Sequence, residues 1–364
     1  MADEKQGYPQ YPIEETLTVF WEDGKVAMID QRILPETFQI NYYETYEAVA
    51  DAIKAMVVRG APAIGASAGF GMAIAAQQST ATTVDDLRTD LKRAGDVLAK
   101  SRPTAVNLFW GIERMLKTAD DPGLTTVEQA KARLLDEAQQ IAEEDIATNQ
   151  RMGAFGAELV PENATIIHHC NTGSLAAVAW GTALGVVRSA FFAGKNVRVL
   201  VDETRPRLQG ARLTSWELKN LGIDHAIIVD GASGHYLRRG EADLCLVGAD
   251  RIAANGDTAN KIGTYNLAVV AHENNVPFYV VAPFSTIDFR TPTGDDIEIE
   301  ERSQEEVTRV AGHQIAPEGV SAGNPAFDVT PHRYITAIVT ERGVVRPPFD
   351  VNLRALAAAP VSEA

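Results

Sequence analysis

Reactive side chains are scarce in this 364-residue chain. Only Cys170 and Cys245 occur, far apart and outside any Cys-x-x-Cys spacing, which excludes a disulfide framework and a cysteine zinc site. The seven histidines show no His-x-His or His-x-x-x-His pair. His168 and His169 adjoin Cys170, but strand neighbours point to opposite faces, so no metal is expected. Positive charge is also short, with 33 Lys and Arg against 49 Asp and Glu and a formal net charge of -16. That balance argues against nucleic acid or an anionic membrane as partner, because phosphate neutralisation needs a basic face. An anionic substrate must therefore find a local cationic pocket. No secretory n-region, apolar h-region and cleavage site is recognisable, so a cytoplasmic protein is expected. The uncharged stretch from Gly60 to Ser79 is diluted by Gly, Ala, Ser and Gln and reads as a helix packed in protein, not in lipid.

What is present is enough apolar residue, 45% of the chain, to build a large core and two domains. The first, residues 1–150, is expected to be small and mainly helical and to end in a long connecting helix. Met1–Gln10 reads as a frayed tail. Leu17–Trp21 and Lys25–Ile29 flank an Asp-Gly turn and predict a β-hairpin. Helical spacing follows over Tyr46–Val58 and Val84–Lys100, and Thr125-Thr126-Val127-Glu128 fits a capping box opening the long helix. From Thr165 the pattern changes to short apolar runs alternating with helices, the mark of βαβ units. The runs are 165–168, 197–201, 226–229, 244–247 and 276–282, with helices expected over 175–190 and 214–221 between them. The fold class is therefore α/β, with a Rossmann-like parallel sheet over residues 151–364. No Gly-x-Gly-x-x-Gly follows the first run, so a dinucleotide is not implied. A helix is expected from His332 and a disordered tail over Ala355–Ala364.

The polar segments after these runs carry the chemistry. Leu244-Cys245-Leu246-Val247 ends just before Asp250, and ligands of open parallel sheets bind at that carboxyl edge. Cys170-Asn171-Thr172-Gly173 follows the first run and Asp202-Glu203-Thr204-Arg205-Pro206 the second, so a thiol and carboxylates are aimed at one edge. The bland alternative is a small buried cysteine among ordinary polar loops. Arg59-Gly60-Ala61-Pro62 joins an arginine to a helix start, which suits an oxyanion, although this loop taken alone is read in preference as a tight helix-packing loop with a surface arginine. Arg102 sits at a second helix junction. The stretch from Asn255 to Thr264 is expected to be a polar loop before a helix, and its Asn260-Lys261-Ile262-Gly263-Thr264 reads either as an anion site or as a capped helix with a solvated lysine. The acidic segment Asp295–Glu306 is expected to be solvated, and Phe327 an apolar anchor.

Together, Arg59–Ile64, His169–Gly173, Glu203–Pro206 with Gln209-Gly210, Gly248–Ile252 and Asn260–Thr264 resemble the methylthioribose-1-phosphate isomerases. The resemblance runs from about Trp21 to Pro347, with His168 standing where threonine is expected. Ribose-1,5-bisphosphate isomerases share that superfamily, as do the alpha, beta and delta regulatory subunits of the translation-initiation guanine-nucleotide exchange factor. The resemblance implies a homodimeric, cofactor-free and metal-free isomerase of a sugar phosphate. It also implies Asp250 as proton donor, Cys170 as the transition-state group, and Arg59, Gly60, Ala61, Arg102, Gln209, Asn260 and Lys261 as substrate contacts. Two other readings stay open: an isomerase of a related sugar 1-phosphate, and a regulatory subunit that binds sugar phosphates or nucleotides without turnover.

Overall fold

The computed structural model describes residues 17–103 and 105–359; the expected N-terminal tail lies outside them. Strands β1 (Val19–Glu22) and β2 (Lys25–Ile29) form the predicted hairpin. Its turn residues Asp23 and Gly24 both take positive φ, as a tight two-residue turn requires. A third strand, β3 (Ile40–Tyr43), pairs antiparallel with β2, so the hairpin becomes a three-stranded sheet.

Four helices follow: α1 (Tyr46–Lys54), α2 (Ala61–Gln78), α3 (Val84–Ala99) and α4 (Val106–Ala119). Thr45 and Thr83 cap α1 and α3 by accepting the Ala48 and Asp86 amides. Helix α2, the uncharged stretch, is buried at every position from Ala63 to Ala76. Its small residues let neighbours come close: a Cβ at Gly111 of α4 would lie 2.6 Å from the Gly65 carbonyl oxygen of α2. Helix α5 (Val127–Ala157) starts at Thr126, whose hydroxyl accepts the Gln129 amide while Gln129 bonds back to the cap. The capping box thus lies one residue beyond the Thr125/Glu128 pair read from sequence. α5 runs unbroken through residue 150. Leu134, Ala138 and Ile141 pack in the core around α2, whereas Met152 and Ala157 pack in the core beside the parallel sheet.

The second half alternates β4 (Thr165–His168), α6 (Ala183–Phe192), β5 (Arg198–Asp202), α7 (Ser215–Leu221), β6 (Asp224–Ile228), α8 (Ser233–Arg238) and β7 (Leu244–Val247). There follow β8 (Arg251–Ala253), β9 (Thr258–Lys261), α9 (Thr264–Glu273), β10 (Phe278–Val281), β11 (Ile287–Asp288), α10 (Glu305–Thr308), β12 (Arg309–Val310) and β13 (His313–Gln314). The chain closes with β14 (Phe327–Thr330), β15 (Ala337–Thr340), β16 (Gly343–Val345) and α11 (Phe349–Ala358). The large sheet has the order β16-β15-β10-β7-β4-β5-β6, parallel except for edge strand β16. β4 leads to β5 and β6 on one side, and the chain then crosses to β7, β10 and β15 on the other. The switch point therefore lies between β4 and β7, where ligands of doubly wound sheets bind.

Several sequence expectations are corrected. The polar stretch from Asn255 to Thr264 is no simple loop: it supplies β9 of a second sheet, β11-β8-β9-β14, with Gly256 at φ 90° in the β8–β9 turn. Asn260 thus lies in a strand, and the residue ahead of α9 is Gly263 at φ 104°. The helix expected over 175–190 is a 3-10 turn at Ser174–Ala176 and then α6, because Trp180 and Gly181 adopt positive φ between them. The helix expected from His332 is one 3-10 turn feeding β15. Ala355–Ala358 belong to α11, whose Phe349 and Leu353 are buried; residues 360–364 of the expected tail lie outside the described residues. Among the described residues no helix is long and apolar enough to cross a membrane.

Candidate active site

The turn after β4 is built around an unusual backbone. Cys170 has φ 69°, a conformation L-residues rarely hold unless neighbours enforce it. Its N–H donates to Thr204 Oγ1 at 2.9 Å, and its carbonyl accepts from Thr214 Oγ1 at 2.7 Å. Thr204 follows β5, and Thr214 ends a π-helical turn at Gly210–Thr214. A Cβ at Gly210 would lie 1.7 Å from the Asp202 carbonyl oxygen, so that turn packs hard on the end of β5. Asp250 follows β7, and its N–H donates to the Ala259 carbonyl on β9 at 2.9 Å.

The N-terminal helices reach the same edge. Gly60 has φ 96°, and a Cβ there would lie 2.3 Å from the Ala176 carbonyl oxygen, so only glycine lets α2 start this close to the sheet. Arg59 donates from Nη1 to the Asn171 carbonyl at 3.2 Å and from Nη2 to Asn171 Oδ1. Asn171 Nδ2 in turn donates to Glu217 Oε1 at 2.7 Å, and Glu217 Oε2 accepts the Ser174 amide. Arg59 Nε and Gln209 Oε1 are buried without a hydrogen-bond partner among the described residues.

All nine residues singled out from sequence, namely Arg59, Gly60, Ala61, Arg102, Cys170, Gln209, Asp250, Asn260 and Lys261, line one cavity of about 440 Å³. Asp202 and Glu203, also aimed at this edge, do not line it. Asp202 turns inward, accepting from Ser233 and bonding to His169. Sequence reasoning missed Arg207, Arg251, Glu300 and Arg302 in the cavity wall. Arg207 stood in plain view two positions before Gln209, whereas Arg302 was hidden in the acidic segment read as solvated. Phe327 is not merely an apolar anchor: the Lys261 ammonium sits 4.3 Å and the Arg302 guanidinium 5.8 Å from its ring centre.

The cations fall into two sets. Arg207 pairs with Glu306 at 2.8 Å, Arg302 with Glu300 at 3.2 Å and Arg251 with Asp288 at 3.8 Å. Arg59, Arg102 and Lys261 have no carboxylate partner among the described residues; Lys261 donates only to the Ala326 carbonyl, at 2.6 Å. Three uncompensated cations in one enclosed wall are costly unless a multiply charged anion joins them. Burial, reinforced by Arg302, pushes the Lys261 ammonium down to about 8. Burial also raises the Cys170 thiol against the opposing pull of Arg59 and Lys261. The Asp250 side chain is exposed to the open cavity, yet desolvation by the surrounding cavity wall raises its carboxyl pKa against the opposing pull of Lys261, Arg302, Arg102 and Arg59.

An acid, a thiol and three cations without a carboxylate partner among the described residues meet at the switch point of a parallel sheet, which defines an α/β protein whose cavity suits a small anionic ligand. The profile of the Initiation factor 2 subunit family matches residues 57–347. The methylthioribose-1-phosphate isomerase 2 of Pseudothermotoga lettingae is 55% identical, covering 93% of this chain and 97% of its own. The crystal structure of 5-methylthioribose 1-phosphate isomerase from Pyrococcus horikoshii superposes with a TM-score of 0.90 at 48% identity, over 96% of this chain and 98% of that one. A structure described as translation initiation factor eIF-2B, subunit delta, from A. fulgidus gives 0.86 at 47% identity, over 94% and 99%. The chain belongs to the Initiation factor 2 subunit family and, within it, to the methylthioribose-1-phosphate isomerases.

Proposed function

We propose that the protein is an aldose–ketose isomerase converting 5-methylthioribose 1-phosphate to 5-methylthioribulose 1-phosphate, a step of methionine salvage. One observation carries the choice over a regulatory subunit: an acid of raised pKa and a thiol share a cavity with the cations an anion needs. A sensor needs the cations alone. In this reading Arg59, Arg102 and Lys261 hold the phosphate with the Gly60 and Ala61 backbone, while Gln209 Oε1 and Asn260 take sugar hydroxyls.

The chemistry follows from the substrate. Phosphate on C1 blocks a free aldehyde, so the ring opens when Asp250 gives a proton to the ring oxygen and the C1–O bond to that oxygen breaks. Hydrogen then moves from C2 to C1, the C2 hydroxyl loses its proton, and the carbonyl forms at C2. A net proton shift from one oxygen to another leaves the formula unchanged. For Cys170 to act as base its thiol must ionise, which burial opposes. That favours direct hydride movement from C2 to C1, with Cys170 lining a water-poor path. Solvent deuterium at C1 of the product would instead establish the proton route.

A homodimer in the cytoplasm is part of this reading, supported by the family resemblance, and sedimentation of the purified protein tests its mass. The decisive assay is turnover across 1-phosphosugars differing at C5. The methylthio compound should be isomerised fastest, and binding without turnover of any of them would return the protein to the regulatory class.

A further inference from the structure

His169 is almost fully buried and does not line the cavity, yet it touches both sides of it. Its Nδ1 lies 2.9 Å from Asp202 Oδ2 at the end of β5, and its Nε2 lies 2.8 Å from the Ile262 carbonyl oxygen. A carbonyl only accepts, so Nε2 carries a proton and donates. Burial works against charge on the ring, but the Asp202 carboxylate, the nearby Asp230 carboxylate and the Ile262 carbonyl together outweigh it and hold the imidazole above its ordinary pKa. Asp202 is fixed by Ser233 Oγ, 2.6 Å from its other oxygen. His169 directly precedes Cys170, and Ile262 directly follows Lys261. The next residue, Gly263, is pressed against the ring: a Cβ there would lie 2.8 Å from His169 Cε1.

We propose that His169, anchored by Asp202, is a positioning residue that ties the Lys261 strand end to the Cys170 turn and so fixes thiol and ammonium relative to one another. It touches no substrate and acts through its two neighbours. The kinetic part rests on the isomerase reading above; the mechanical part does not.

Two substitutions separate the two ends of the tie. Glutamine reaches as far as Nε2 and keeps the bond to the Ile262 carbonyl; asparagine reaches only as far as Nδ1 and keeps the bond to Asp202. Amide hydrogen exchange across 262–264, read without any substrate, should rise by roughly tenfold or more in His169→Asn and stay near wild type in His169→Gln. Turnover should fall roughly ten- to hundredfold in His169→Asn, since small displacements of reacting groups cost that much, and by less than about threefold in His169→Gln. Equal losses in both variants, tracking only a drop in Tm, would reduce His169 to a packing residue. Unchanged exchange in His169→Asn would overturn the tie itself. If wild type fails to isomerise, the exchange data still decide. If His169→Asn does not fold, Gly263→Ala, which drives a methyl into the same contact, is expected to give the same loosened loop, and normal exchange in it would refute the proposal.

Discussion

At Asp250 desolvation by the cavity wall and four surrounding cations pull in opposite directions. In the proposed reaction, a phosphate dianion on Arg59, Arg102 and Lys261 would cancel much of the cationic pull while displacing water, so that binding would raise the carboxyl further and keep it protonated for ring opening. Asp250→Asn and Cys170→Ala should each lower kcat by about two orders of magnitude or more with little change in KM, measured by steady-state kinetics. Lys261 gives a pH signature. Its ammonium is charged below about 8 and lost above, so kcat/KM should fall as pH rises through that value. In Lys261→Gln the limb should vanish and KM should rise. That the nine residues singled out from sequence would meet at one cavity was legible because Gly, Pro and unusual polar triplets interrupt apolar runs at those places. Arg302 was not, since nothing local separates an arginine aimed at a cavity from one facing water in an acidic loop.

Helices and strands were read well where their signals are local. β4 and β7 were placed residue for residue, because Thr165-Ile166-Ile167 and Leu244–Val247 are short apolar or β-branched runs, each followed by polar residues that end it. The second sheet was missed because β8 and β9 carry Arg, Asn and Lys, whose side chains are drawn inward by cavity partners instead of apolar packing. The start of α5 was misplaced by one residue because Thr125 and Thr126 satisfy the same motif and only the Gln129 geometry separates them. Thr126→Ala removes that cap and should cost about 1 kcal/mol, seen as a lower urea midpoint, with kcat unchanged because the cap is remote from the cavity. Unchanged stability would mean that Thr125 takes over.

In the molecule as a whole, α5 and the segment after β4 are joined by a titratable group. Asp145 of α5 accepts the Val178 amide at 2.7 Å, and the Val178 carbonyl accepts the Thr18 amide at 2.9 Å. Burial pushes this carboxyl up to about 7. The folded state then keeps a proton that the unfolded chain releases near 3.8, so stability declines as pH rises from about 4 to about 7. Asp145→Asn has no such proton, and the Tm of wild type should fall relative to it between pH 5 and pH 8. Sequence alone determined the parallel sheet, the helical N-terminal half and the loops that line the cavity, because periodicity and turn residues act over a few positions. The tertiary structure alone decided which cations remain unpaired, that Asp202 turns inward, and that Arg302 and Phe327 join the site. Those outcomes depend on partners brought together from distant positions, and charge compensation and burial are properties of that assembly.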